Sequence, residues 1–220
     1  MHETDETKWS VPMILASASP RRSELLSRLG FALTIEPADI DETRLPHEHP
    51  RDLVKRLAHE KAHHVYAQRG TGDDGFLLAA DTIVWMGDEA LGKPDGPDDA
   101  RAMLHELSGR THHVSTGVCI LYRATDGSLR ESSFVDTTDV RFYELTEAQI
   151  ASYVRSGECN DKAGAYAIQG TGRLLVEGIE GDYDNVVGLP TCRVVREMAR
   201  LRAEDQNEDL LASLLEERNA

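Results

Sequence analysis

The sequence predicts a mixed α/β fold that combines short βα units with a long antiparallel hairpin. Two observations carry this. Apolar strand-like runs alternate with amphipathic helical stretches over the first half of the chain, the pattern of short βα units. Two longer strand-like runs then follow, about Thr111–Tyr122 and Leu129–Phe142, joined by a turn containing Asp126-Gly127, the signature of an antiparallel hairpin. The composition is that of an ordinary globular domain, with 40% hydrophobic and 29% charged residues over 220 positions. A single domain over residues 11–203 is expected, with an acidic extension at 1–10 and an amphipathic tail at 204–220.

Taken in order, "VPMILAS" (Val11–Ser17) reads as a buried first strand. A helix follows, with Ser19 as N-cap, Pro20 at N1, apolar Leu25, Leu26 and Leu29, and Gly30 as its stop. "FALTIEP" alternates like a strand and leads into the acidic loop "ADIDETRLPHEHP". Arg51 to about Arg69 reads as a helix. "FLLAADTIVWM" is an apolar strand with Asp81 in its middle. "DDARAMLHELSG" places Ala100, Met103, Leu104 and Leu107 at helical spacing. After the hairpin, Thr146 and Gln149 form a capping box at the start of a further helix. A Gly-rich stretch runs from Gly157 to Gly188, and Pro190 opens a last helix carrying Val194, Val195, Met198 and Leu201. The tail has one apolar stripe (Leu210, Leu211, Leu214, Leu215) that extends the helix, packs on a partner subunit or stays mobile.

Charge and composition narrow the function classes. A formal net charge of −15 argues against a nucleic-acid polymer or a membrane surface as partner. No apolar run approaches the ~20 residues of a membrane span, and the first ten residues do not resemble a signal peptide. Cys119, Cys159 and Cys192 are few and widely spaced, which suits a reducing cytoplasm and gives no zinc spacing. Two short motifs mislead. "GDEALGKP" has most of a phosphate-binding loop, but Pro94 stands where Ser or Thr should enter a helix. "GTGDDG" follows a helix and precedes a strand, the reverse of a dinucleotide fingerprint.

Several polar residues stand where a core favours apolar ones. Lys61 falls near the centre of the stripe formed by Val54, Leu57, Ala58 and Val65, so it either snorkels or reaches a polar cleft. Asp81 interrupts a buried strand, which is costly unless the carboxylate is paired, hydrogen-bonded or bound to a metal. Arg21 and Arg22 occupy the first turn of a helix, the wrong end for cations unless an anion joins them. Glu42 lies in an acidic loop, Lys93 in a loop after Gly92, and Gln169 among glycines, where an amide suits the edge of a base. Together these suggest an anionic substrate held by Arg21, Arg22, Lys61 and Lys93, with Glu42 and Asp81 nearby, and metal-assisted phosphoryl or nucleotidyl chemistry.

The segments "LASASPRRSELL", "LAHEKA", "AADTIV", "LGKP", "LSGRTHHVSTGV", "DKAGAYAIQGTG" and "GDYDNVVGLP" together resemble, in order, the Maf family of nucleoside triphosphate pyrophosphatases. The resemblance implies an elongated α/β fold similar to the inosine triphosphate pyrophosphatases, with a mixed sheet flanked by helices and two lobes around a deep cleft. It implies hydrolysis of a nucleoside triphosphate to monophosphate and pyrophosphate with Mg²⁺ or Mn²⁺, and a homodimer. "GAYAIQG" is similar to the dTTP/UTP branch rather than the 7-methyl-GTP branch. Carried over by residue, Asp81 is the expected proton acceptor. Arg21, Thr82 and Gln169 match positions linked to nucleotide choice. Ser17, Arg22, Glu42, Lys61 and Lys93 match cleft positions, with Glu42 and Asp81 as metal ligands. The other readings are a non-catalytic nucleotide-sensing regulator of septum formation and a 7-methyl-GTP specificity.

Overall fold

The computed structural model describes residues 12–71, 75–206 and 211–212. The acidic N-terminal extension, Val11, and Leu210, Leu214 and Leu215 of the tail stripe lie outside the described residues. Leu211 packs against the core.

The elements follow the sequence closely where periodicity is strong. β1 is Met13–Leu15, α1 Pro20–Arg28, β2 Leu33–Ile35, α2 Pro50–Arg69 and β3 Phe76–Met86. The hairpin strand β4 is Glu89–Leu91, followed by α3 Pro97–Leu107, β5 Thr111–Arg123, β6 Leu129–Phe142 and α4 Glu147–Ser156. The Gly-rich stretch holds 3₁₀ turns at Ala163–Ala165 and Gly170–Leu175, then β7 Val176–Glu180 and α5 Tyr183–Val187; α6 is Thr191–Gln206. β1 is shorter than its apolar run, and Ser17 lies beyond its end, where the hydroxyl accepts a hydrogen bond from Arg22. α6 continues past 203. β4, β7 and α5 are three to five residues long, too short for a period to be visible. β4 occupies the middle of the false phosphate-loop motif, where Gly87 turns the hairpin at φ 63°.

The seven strands form one sheet in the order β2-β1-β3-β5-β6-β7, with β4 also on β3. β2, β1 and β3 run parallel; the other pairings are antiparallel. β3 decides where a site can form. One edge is covered by β5 from Phe76 to Trp85. On the other edge β1 takes Phe76–Leu78 and β4 takes Val84–Met86. The segment between them, with Asp81 and Thr82, has no strand neighbour on that edge among the described residues, so the sheet forks there.

Alternation along β3 then assigns their faces. Phe76, Leu78 and Ala80 enter the larger core cluster with Leu26, Leu104 and Met198. Leu77 and Ala79 enter the smaller one with Ala58, Ala62 and Val65 of α2. Asp81 therefore faces α2 and Thr82 faces the side of α1 and α5. Gly117, paired with Asp81 across β3 and β5, lets α2 lie directly on the sheet. A Cβ at Gly117 would stand 2.1 Å from the Val54 carbonyl oxygen. Lys61 lies two turns beyond Val54 on the same helical face, and helical side chains lean back toward the N-terminus. The close approach at Gly117 thus aims Lys61 at Asp81.

Candidate active site

Lys61 is 8% exposed, and its ammonium lies between two carboxylates: 2.7 Å from Asp81 Oδ1 and 2.6 Å from Glu42 Oε1. Of the two options open to it in the sequence, it takes the polar cleft. The loop that presents Glu42 is fastened to α2. Arg56 donates to the Thr43 carbonyl at 3.1 Å and to both Glu48 carboxylate oxygens at 2.7 and 2.8 Å. These bonds raise the Arg56 guanidinium above its ordinary value and hold Glu48 below the usual carboxylate range. Thr43 also donates to Asp41 Oδ1 from its backbone N–H and hydroxyl.

On the other face Arg22 is 8% exposed. It donates to the Gly188 carbonyl at 2.8 Å, the Ser17 hydroxyl at 2.9 Å and the Thr82 hydroxyl at 2.8 Å. This ties the start of α1 to β3 and to the turn after α5. Burial pulls the Arg22 guanidinium below its ordinary value, and the charge of Asp81 opposes that shift. Arg21, one residue earlier, is half-buried, and its side chain has no hydrogen bond or ion pair among the described residues. The Ser19 side chain makes no capping bond, so the N-terminus of α1 keeps its amide donors.

Two adjoining cavities meet over these groups. The larger, about 460 Å³, is lined by Asp81, Thr82 and Gln169, with Leu57, Val84 and Val186 supplying apolar surface. The smaller, about 360 Å³, is lined by Ser17, Ser19 and Lys61. Arg21, Arg22, Glu42 and Lys93 border both. The structure thus gathers every site residue singled out in the sequence around these two cavities, which share part of their lining. Arg21, Arg22, Lys61, Lys93 and Lys162 outnumber Glu42, Asp81 and Asp161 there. In a chain of net charge −15, a local cationic excess is a feature an anion can exploit.

The family model for Maf-like proteins matches residues 12–201, from β1 into α6. The chain belongs to the Maf family. It is 53% identical over 178 residues to a dTTP/UTP pyrophosphatase of Anaeromyxobacter dehalogenans, covering 81% of this chain and 88% of that protein. It is 46% identical to a dTTP/UTP pyrophosphatase of Halalkalibacterium halodurans, covering 84% and 93%. The corresponding values for a dTTP/UTP pyrophosphatase of Myxococcus xanthus are 50%, 86% and 91%. A crystal structure of a nucleoside-triphosphatase, a dITP/XTP pyrophosphatase from Mycobacterium abscessus, matches at a TM-score of 0.41 and 14% identity, over 88% of this chain and 97% of that one.

This Maf chain holds its Gln169 wall through residues that sequence reasoning missed. Glu158 accepts from the Thr171 N–H at 3.0 Å, the Thr171 hydroxyl at 2.6 Å and the Gly172 N–H at 2.9 Å. Tyr153 accepts from the Ala167 N–H at 3.1 Å and donates to Glu158 at 3.2 Å. Gln169 is thereby fixed from both sides. Gly172 is required because a Cβ there would stand 2.2 Å from the Ala167 carbonyl oxygen. Gly164 donates to the Gly92 carbonyl at 3.0 Å and joins this wall to the loop bearing Lys93. The visible signal was the density of glycines; their partners lie far off in sequence.

The cavity-lining Tyr166 is held from behind by His112, which is fully buried and 2.9 Å from the Tyr166 hydroxyl. His112 Nδ1 has no hydrogen-bond partner among the described residues. A bare ring acceptor is less costly to bury than an unpaired N–H, so Nε2 carries the proton and donates to Tyr166. Burial lowers the His112 pKa from 6.5 to about 4. Between those values the unfolded chain binds the extra proton and the folded chain does not. The His112 contribution to stability is therefore fully present above pH 6.5 and is lost as the pH drops toward 4, by up to about 3 kcal/mol. Urea melts across this range should show the loss in wild type and a flatter profile in His112→Gln. Parallel profiles would refute a neutral buried His112.

Proposed function

We propose that this Maf protein is a nucleoside triphosphate pyrophosphatase that hydrolyses dTTP and UTP to the monophosphate and pyrophosphate. The observation that supports the reading is the pair of adjoining cavities, whose linings include Asp81 and Gln169 together with Arg21, Arg22 and Lys93. Relatives named dTTP/UTP pyrophosphatase at 53% and 46% identity support the nucleotide choice.

In this mechanism the triphosphate lies toward Arg21, Lys61, Lys93 and the start of α1, and the base toward Thr82 and Gln169. A water attacks the α-phosphorus, a bond forms from its oxygen, and the bond from phosphorus to the α–β bridging oxygen breaks. Asp81 accepts the water's proton. The bond from Lys61 to Asp81 Oδ1 orients the carboxylate. The cations neutralise charge that builds on the departing pyrophosphate. Ser17 positions Arg22 rather than meeting substrate first. Glu42 and Asp81 offer hard oxygen donors that fit a Mg²⁺- or Mn²⁺-type ion, which is commonly held by one or two carboxylates with substrate phosphates completing its shell. These two residues would hold it, and the ion when bound would supply further neutralisation of the phosphates.

The site hydrogen-bonds a base edge, so analogues that leave its polar groups unpaired are strongly rejected. Release of phosphate in the presence of added inorganic pyrophosphatase, over a nucleotide panel, is expected to give kcat/KM for dTTP and UTP at least ~10-fold above purine triphosphates. A flat profile or a preference for 7-methyl-GTP would overturn the base assignment. Nucleotide binding with no release from any substrate would instead favour a sensing role.

A further inference from the structure

The outer face of α2, away from the cleft, carries a second constellation. His59 and His63 stand one turn apart, with ring centroids 4.2 Å apart. Glu131 reaches them from β6. One carboxylate oxygen lies 3.6 Å from His59 Nε2 and the other 2.9 Å from His63 Nε2. The ligating atoms of all three residues lie within 4.8 Å of one another. In a tetrahedral site with bonds of ~2.0–2.2 Å, ligand atoms stand about 3.3 Å apart. Small rotations of the side chains would therefore bring these donors onto one ion.

We propose that His59, His63 and Glu131 bind a divalent transition-metal ion of the Zn²⁺ class, which pins α2 to β6. The donor set is two imidazoles and one carboxylate, the composition found at three-ligand zinc centres with a position left for water. Imidazole donors favour Zn²⁺, Cu²⁺ or Ni²⁺ over the hard cations that suit Glu42 and Asp81. Entry is open, since the side chains of His59, His63 and Glu131 are 49%, 39% and 35% exposed. The ligands sit on regular elements rather than on loops, a long helix and a strand paired along its length with β5, so their spacing is set by the scaffold. Ordinary surface pairing would need only one histidine for the carboxylate; here each oxygen faces its own ring. An ion at this point ties down the helix that bears Lys61 on its opposite face. It is independent of the nucleotide reading.

The test uses the full chain in excess Mg²⁺, which occupies oxygen-donor sites. Co²⁺ titration should produce the visible d–d bands of tetrahedral coordination at one equivalent, displaced by Zn²⁺. Zn²⁺ at ~100-fold over its Kd should raise Tm by about 5 °C or more. His63→Ala should weaken Zn²⁺ binding at least ~10-fold and abolish the bands, with circular dichroism unchanged. Glu131→Gln, which keeps the side-chain shape, should also weaken binding and serves as the second variant should His63→Ala misfold. The proposal is overturned if wild type gives no bands, if both variants bind Zn²⁺ like wild type, or if Asp81→Asn rather than these variants abolishes binding.

Discussion

Asp81→Asn is expected to lower kcat by about 10²–10⁴-fold with little change in KM, the loss typical of removing a positioned general base. The structure makes this a clean substitution. Asparagine keeps the shape of the side chain, and its carbonyl oxygen can still accept from Lys61. The buried ammonium also keeps Glu42 Oε1 at 2.6 Å, so no charge is left stranded. Core packing on both faces of β3 involves Leu77, Leu78, Ala79 and Ala80 rather than Asp81. Tm should consequently move by only a few degrees. Steady-state kinetics on dTTP together with a thermal melt check both halves. Turnover near wild type would remove Asp81 from proton transfer, whereas a raised KM at unchanged kcat would make it a binding group alone.

Asp81 and Lys61 could be found in the sequence because each breaks a local pattern. A carboxylate in an apolar strand and an ammonium on an apolar helical stripe are costly by themselves, so either one signals a partner. Arg21 and Arg22 announced themselves in the same way, against the helix dipole. Lys93 and Gln169 gave weaker signals, a loop lysine after a glycine and an amide among glycines, while Ser17 and Thr82 break nothing locally and the family resemblance alone singled them out. Arg56, Glu158 and His112 were invisible for a different reason. Each is an unremarkable residue on its own element, and its role comes from a partner that folding brings close. Arg56 fastens the Glu42 loop, Glu158 clamps the Gln169 turn, and His112 backs Tyr166. Gly117 lay between: a glycine inside a strand signals close backbone approach, but nothing local says that α2 is what approaches. The fork in β3 was equally hidden, because strand pairing is not written in the strand itself.

The two arginines of "SPRR" should separate into opposite signatures. Successive helical residues point about 100° apart, so Arg22 is drawn into the node formed by Ser17, Thr82 and Gly188, while Arg21, which borders the same two cavities, makes no side-chain hydrogen bond among the described residues. Arg22→Lys keeps the charge but replaces a planar fork by a point donor, which cannot reproduce three divergent hydrogen bonds. Hydrogen bonds from charged donors are worth about 1.5–3 kcal/mol each, and losing the geometry of two of them should cost about 3 kcal/mol. For a chain of this size that is a fall in Tm of about 6–12 °C. Arg21→Ala removes a side chain with no hydrogen-bonding partner among the described residues, so stability should change by no more than ~0.5 kcal/mol. Its kinetic effect should be large, because an unpaired guanidinium at a helix N-terminus is poised for phosphate; kcat/KM for dTTP should fall at least ~10-fold. Thermal melts and kinetics on the two variants decide the matter. If Arg21→Ala keeps full kcat/KM, the triphosphate is not held at the start of α1. If Arg22→Lys melts like wild type, the node is a by-product of burial, and Arg22 is free to meet the phosphates directly.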